Sequence, residues 1–174
     1  MEFFLLIVDD EIQIRRGIEQ GIPWKSHGVT RVFTAEDPVE GLQILEREKV
    51  HILITDIRMP GMTGLEFAKK AKEIQEDIRV ILLSGYSEFE YAKEAINIGV
   101  VEYLLKPIKV RELTDLVDRI EGEIEEEESK RKADCRKLQE RKLERWLTSG
   151  EGGEELAKTL LHFAKAELGN KIQC

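Results

Sequence analysis

The chain has 174 residues, with 27 basic against 35 acidic side chains and a net charge of -8. That length suits one domain of ordinary size plus an appendage, and the acidic balance excludes a phosphate-binding stripe of clustered Lys and Arg within these residues. Two cysteines, Cys135 and Cys174, match neither a disulfide framework nor a zinc spacing, so two free thiols in a reducing compartment are expected.

The first apolar run, Phe3–Val8, is six residues long and runs at once into Asp9, Asp10 and Glu11. It is too short for a membrane span and lacks the flanks of a signal peptide, which predicts a cytoplasmic protein with no membrane partner. Four further runs follow: Val29–Phe33, Val50–Ile54, Ile78–Leu83 and Val100–Leu105. Each reads as a strand. Between them Ile14 and Ile18, then Val39, Leu42 and Leu45, then Leu65, Ala68 and Ile74, then Phe89, Ala92, Ala95 and Ile96 recur at helical spacing. Regular alternation of strand and helix predicts a doubly wound five-stranded parallel α/β sheet with helices on both faces. Thr30, Arg31 and Glu102 interrupt the second and fifth runs, so those two strands are placed at the edges, as in the flavodoxin-like order 2-1-3-4-5. Trp24 is expected to pack under the first helix.

From Val110 the pattern becomes a long helix: Leu113, Leu116, Val117, Ile120 and Ile124 lead into Glu125-Glu126-Glu127-Glu128-Ser129-Lys130-Arg131-Lys132. Glu126–Lys130, Glu127–Arg131 and Glu128–Lys132 are favourably oriented i,i+4 pairs of about 0.2–0.5 kcal/mol each, which favours continuous helix over coil. The stripe Cys135, Leu138, Leu143, Trp146 and Leu147 drifts from a strict heptad, leaving a homodimer through this helix as an open expectation, with Trp146 as a packing anchor. Ser149 to Gly153 breaks the pattern, and Leu156, Leu160, Phe163, Ala164 and Leu168 form a last amphipathic helix. The expected domains are therefore 1–122, and a helical extension over 123–174.

In a parallel sheet the carboxyl ends of the strands converge on one rim. Asp9 and Asp10, Asp56, Ser84 and Lys106 all stand there. Taken singly, each has a bland reading: an acid near a helix start, a turn serine, a lysine before a strand-ending Pro107. Together they predict an acidic pocket with one cation, which needs a divalent metal to hold its carboxylates; an all-oxygen donor set favours magnesium or manganese over zinc. Metal, carboxylate, hydroxyl and ammonium are the parts of phosphoryl transfer, and Asp56, before the turn-rich loop Arg58 to Gly64, is the best nucleophile.

Val8-Asp9-Asp10-Glu11, Thr55-Asp56-Ile57-Arg58-Met59-Pro60, Leu83-Ser84-Gly85-Tyr86 and Tyr103-Leu104-Leu105-Lys106-Pro107, in this order and separation, resemble the receiver domains of bacterial two-component response regulators. The resemblance covers about residues 3–122. It implies that Asp56 accepts a phosphoryl group from a sensor histidine kinase. It also implies that Asp10, Asp56 and the backbone carbonyl of Arg58 bind Mg2+ directly, with Asp9 acting through metal-bound water. By the same resemblance Ser84 is the switch hydroxyl, Lys106 the phosphate-contacting lysine, Tyr103 the aromatic switch, and Pro107 the proline that often follows a cis bond. Arg15-Arg16-Gly17-Ile18, Pro23-Trp24, Gly28 and the stretch Gly85 to Ala92 resemble the subclass with an AraC-type transcriptional output. No output domain is recognisable after the helical linker, so DNA would be reached only through a domain missing here. A stand-alone receiver acting on a protein partner is the alternative. A haloacid-dehalogenase-type phosphohydrolase is a weaker one, because Arg58 stands where the second Asp of the expected Asp-x-Asp would be. The chain is not expected to be an enzyme beyond its own phosphorylation and dephosphorylation.

Overall fold

The computed structural model describes residues 2–85 and 89–149, without the side chains of 89, 90, 143, 144 and 146–149. Two units divide the chain, Met1–Gly122 and Glu123–Cys174. In the first, β1 (Phe3–Val8), β2 (Val29–Ala35), β3 (Ile52–Asp56), β4 (Arg79–Ser84) and β5 (Glu102–Leu105) form one all-parallel sheet of order β2-β1-β3-β4-β5. Helices α1 (Ile12–Gly21), α2 (Pro38–Arg47), α3 (Gly64–Ile74) and α4 (Phe89–Ile98) alternate with the strands, and α5 (Val110–Ser149) follows β5. The doubly wound topology and the placement of β2 and β5 at the edges are those read from the sequence.

Strand burial explains the order. Every residue of β3 is buried, as a central strand covered on both sides requires, whereas β2 exposes Thr30 and Arg31 and β5 exposes Glu102. Successive strand residues alternate between faces. Leu6, Val8, Leu53, Val80 and Leu82 join Leu45, Leu65, Phe67, Ala68 and Ala95 from α2, α3 and α4 in one apolar cluster. Leu5, Ile7, Ile54, Ile81 and Leu83 are equally buried, and Ile18 of α1 with Leu113, Val117 and Ile120 of α5 supplies buried apolar side chains of its own.

Local signals set the helix starts. Asp37 accepts from the Glu40 amide at 2.8 Å and Pro38 opens α2, while Thr63 and Glu66 form a reciprocal capping box at the start of α3. A 3-10 turn, Trp24–His27, was not legible as an element; Pro23 opens it and Gly28, at φ 70°, closes it. Trp24 is buried, and its indole Nε1 donates to the Ile18 carbonyl at 2.9 Å, so it does pack under α1.

The long α5 is continuous helix, and Lys130–Glu126 at 2.7 Å and Lys132–Glu128 at 3.5 Å realise two of the expected i,i+4 pairs. Cys135 is disulfide-bonded, which corrects the free thiol expected there. Cys174, the last amphipathic helix, and Tyr86 of the subclass motif lie outside the described residues, as does the side chain of Trp146.

Candidate functional site

The β1–β3 ladder runs to Val8↔Thr55 and the β3–β4 ladder to Asp56↔Leu83, so the carboxyl ends of the three central strands finish level with one another. Asp9 follows β1, Asp56 ends β3, Ser84 ends β4 and Lys106 follows β5. The sheet thereby brings residues almost the whole domain apart onto one rim.

Lys106 is the centre of what the rim assembles. Its Nζ lies 2.8 Å from Asp56 Oδ1, 3.1 Å from Asp9 Oδ2 and 3.4 Å from Glu11 Oε1. The Asp9 side chain is fully enclosed, and those of Asp56 and Lys106 retain 9% and 15% exposure, so water contributes little to solvating the pair of carboxylates. Two such charges about 4 Å apart repel by about 4 kcal/mol at an effective dielectric near 20, and the shared ammonium offsets that repulsion. Burial pushes the Asp9 carboxyl above its ordinary range, against the opposing pull of the Glu11 amide and of Lys106. Burial alone would lower Lys106, but its hydrogen bond to Asp56 and the charge and hydrogen bond of Asp9 outweigh it, and the net direction is up.

The backbone finishes the arrangement. Asp9 Oδ1 accepts the Glu11 amide at 2.8 Å, and Asp56 Oδ2 accepts the Arg58 amide at 3.0 Å. Asp56 also rests on a tight floor. The Gly64 amide donates to the Ile57 carbonyl at 2.8 Å, and a Cβ on Gly64 would stand 2.0 Å from the Asp56 carbonyl oxygen, so only glycine admits this approach of α3 to the strand end. Ser84 is buried, and its carbonyl accepts the Lys106 amide at 2.7 Å, which ties the β4 end to the lysine. The Lys106–Pro107 bond is cis.

Not every expected residue joins this cluster. Asp10 is exposed and lines a neighbouring cavity of about 500 Å³ with Glu36, Asp37, Pro60 and Gly61. Among the described residues no three His, Cys, Asp or Glu side chains form a group that could hold a metal ion. Three converging carboxylates thus become two joined by a lysine, with the third on the rim. Arg58 is exposed, and its guanidinium sits 5.9 Å from the Tyr91 ring centre on α4. Tyr103, opposite Leu82 on β5, is half-buried against the cluster that includes α4. Glu11, Arg15 and Gly64 were not singled out as site residues. Gly64 closes the turn-rich loop already noted, and Glu11 and Arg15 fall within quoted motifs that assigned them no role at the site. Of the histidines, His27 pairs with Asp118 at 2.7 Å and His51 accepts the Phe4 amide at 3.1 Å.

Two buried carboxylates, a shared ammonium and a buried hydroxyl-bearing residue form a site of hard oxygen donors suited to an electrophile with negatively charged oxygens. Comparison with known proteins bears on which one. A family model described as response regulator receiver domain matches residues 5–118. An uncharacterized response regulatory protein of Staphylococcus epidermidis is 41% identical over 116 residues, covering 67% of this chain and 45% of that protein. The uncharacterized transcriptional regulatory protein YesN of Bacillus subtilis is 38% identical over 128 residues, 74% of this chain and 35% of its own length. This chain therefore spans less than half of either relative. Among solved structures, the REC domain of AraT, a response regulator from Geobacillus stearothermophilus, aligns with a TM-score of 0.68 and 39% identity over 74% of this chain and 99% of that one. A two component transcriptional regulator AraC from Clostridium phytofermentans aligns with a TM-score of 0.66 and 30% identity, again over 74% and 99%.

Proposed function

Because this chain belongs to the response regulator receiver domain family, we propose that it is a phosphorylation switch in which Asp56 accepts a phosphoryl group from a phosphohistidine on a sensor histidine kinase. The observation that carries the reading is the bridge from Lys106 Nζ to Asp56 Oδ1 at 2.8 Å and to Asp9 Oδ2 at 3.1 Å, at the shared end of three strands. An Asp56 oxygen forms the new bond to phosphorus, the phosphorus–nitrogen bond of the donor breaks, and its electron pair leaves with the imidazole. The Lys106 ammonium neutralises a phosphoryl oxygen, the Ser84 hydroxyl donates to another, and the Arg58 amide steadies the carboxylate that is attacked.

The donor set suits Mg2+: oxygen ligands only, and few carboxylates, as that ion prefers alongside its waters and a substrate phosphate. Asp10, Asp56 and the Arg58 carbonyl would hold it, with Asp9 acting through water. When bound, the ion supplies charge neutralisation for the transferred group. Phosphorylation adds nearly one more negative charge and strong acceptors beside Ser84, drawing that hydroxyl inward while Tyr103 follows, as a shift between two populations. The output in this reading is transcriptional, reached through a DNA-binding domain outside these residues, in a cytoplasmic protein that catalyses only its own phosphorylation and dephosphorylation. Among the described residues no helix is long and apolar enough to cross a membrane.

Acetyl phosphate with Mg2+ should add a single phosphoryl group, seen by intact mass, and none to Asp56→Ala. Undiminished labelling of the variant would overturn the assignment.

A further inference from the structure

We propose that Arg15 is a positioning residue of the phosphoacceptor pocket, holding the main chain of Asp9 so that the Asp9 carboxylate stays on the Lys106 ammonium that it shares with Asp56. The inference rests on the phosphoacceptor reading above and adds a residue to it.

The pairing of β1 with its neighbours ends at Val8, opposite Ala35 and Thr55, so the ladder does not hold the Asp9 carbonyl. Even the Asp9 amide reaches its partner, the Ala35 carbonyl, only at 3.4 Å. Helix α1 begins at Ile12 without a side-chain cap, because the Glu11 carboxylate is directed at Lys106 instead. The turn that carries Asp9 and Asp10 thus lacks both of the usual restraints on a strand-to-helix turn.

Arg15 supplies a restraint in their place. From the end of the first turn of α1 its Nη1 donates to the Asp9 carbonyl, while its own amide donates to the Glu11 carbonyl at 3.0 Å. Beyond its long amide bond, Asp9 is consequently held at three points: Arg15 on its carbonyl, the Glu11 amide on Oδ1 and Lys106 on Oδ2. Only the last of these is a group that a bound cation or phosphoryl group would compete for. The guanidinium keeps its charge throughout the accessible pH range and takes no part in the chemistry, so it can fix the turn in both states of the switch. Arg16, the next residue, is exposed and provides a built-in control: the same charge at nearly the same place, without the contact.

The test uses the full chain and Mn2+ alone as the probe, its free-ion electron paramagnetic resonance signal reporting occupancy. Loss of an outer partner of a metal site weakens affinity by about tenfold or more. Arg15→Met, which keeps the aliphatic stem, should show that weakening. Arg16→Met should not, and the maximal rate of labelling by acetyl phosphate at saturating Mg2+ should be retained in Arg15→Met. Equal weakening in the two variants would reduce the effect to a general field and overturn the assignment, as would unchanged affinity in Arg15→Met. Failure of the unmodified chain to take up Mn2+ would instead bring down the phosphoacceptor reading, and this inference with it. Circular dichroism checks that each variant is folded. If Arg15→Met is not, Arg15→Gln, whose amide stops short of the Asp9 carbonyl, carries the same comparison with the same outcomes.

Discussion

Replacing Lys106 by Met removes the ammonium and keeps most of the stem, leaving Asp9, fully enclosed, and Asp56, nearly so, without their shared cation. Taking one partner from a buried charge cluster costs about 3–5 kcal/mol, because the charges left behind stay desolvated. For a chain of this size that is a fall in melting temperature of roughly 10 °C. The pH dependence gives the sharper test. Asp9 already titrates above its ordinary range, so the fold binds its proton more tightly than the unfolded chain does, and the penalty of the ionised form is relieved as pH falls through that raised value. Without Lys106 the relief is larger, and the gap between variant and parent should be widest near neutrality and narrow on acidification. In the parent, Lys106 titrates above the ordinary lysine range; its contribution is whole below that range and is lost as pH climbs through the raised value. Urea denaturation at pH 7 and pH 5, followed by far-ultraviolet circular dichroism, measures the gap directly. A loss below about 1 kcal/mol at pH 7, typical of an exposed pair, or a gap that widens in acid, would refute the reasoning.

Two glycines should separate by the kind of atom each would meet. Gly64→Ala drives a methyl to 2.0 Å from the Asp56 carbonyl, which is backbone, and should cost about 3 kcal/mol and disturb Asp56 labelling. Gly28→Ala meets the Glu121 carboxylate at 1.6 Å, a side-chain tip that can swing away, so mainly the strain at φ 70° remains, about 1–2 kcal/mol, with labelling intact. Denaturation and mass measurements giving the reverse order would count against the floor assigned to Gly64. Thr63→Ala removes half of the α3 capping box and should lower stability by about 1 kcal/mol; a neutral result by thermal melting would show that packing alone sets the start of α3.

Strand order was readable because a few polar residues, Thr30, Arg31 and Glu102, betray the edges, and the gathering of Asp9, Asp56 and Lys106 was readable because carboxyl ends of parallel strands must share a rim. Strand limits were less so. Val50 belongs to the core but not to β3, since its amide donates to Gln75 Oε1 at 2.9 Å instead of entering the ladder. Conversely β2 runs on through Thr34 and Ala35, which face Ile7 and Val8 although neither extends an apolar run. At the site, residue type pointed to Asp9, Asp56 and Lys106. The exposure of Asp10 and the guanidinium beneath the Asp9 carbonyl depend on how a turn closes, and spacing along the chain carries no record of that. The disulfide at Cys135 escaped for a similar reason, because compartment arguments count cysteines without locating them.

The close seat of Gly64 under Asp56 makes the pocket asymmetric. One jaw, formed by the end of β3 and the start of α3, is locked by backbone against backbone and has no slack to yield. The other, where β4 ends, opens at Gly85, where none of the described residues stands within 4 Å of the point at which a side chain would begin. On the reading that Asp56 is phosphorylated, strain introduced there meets less resistance on the Gly85 side than at the backbone contact with Gly64.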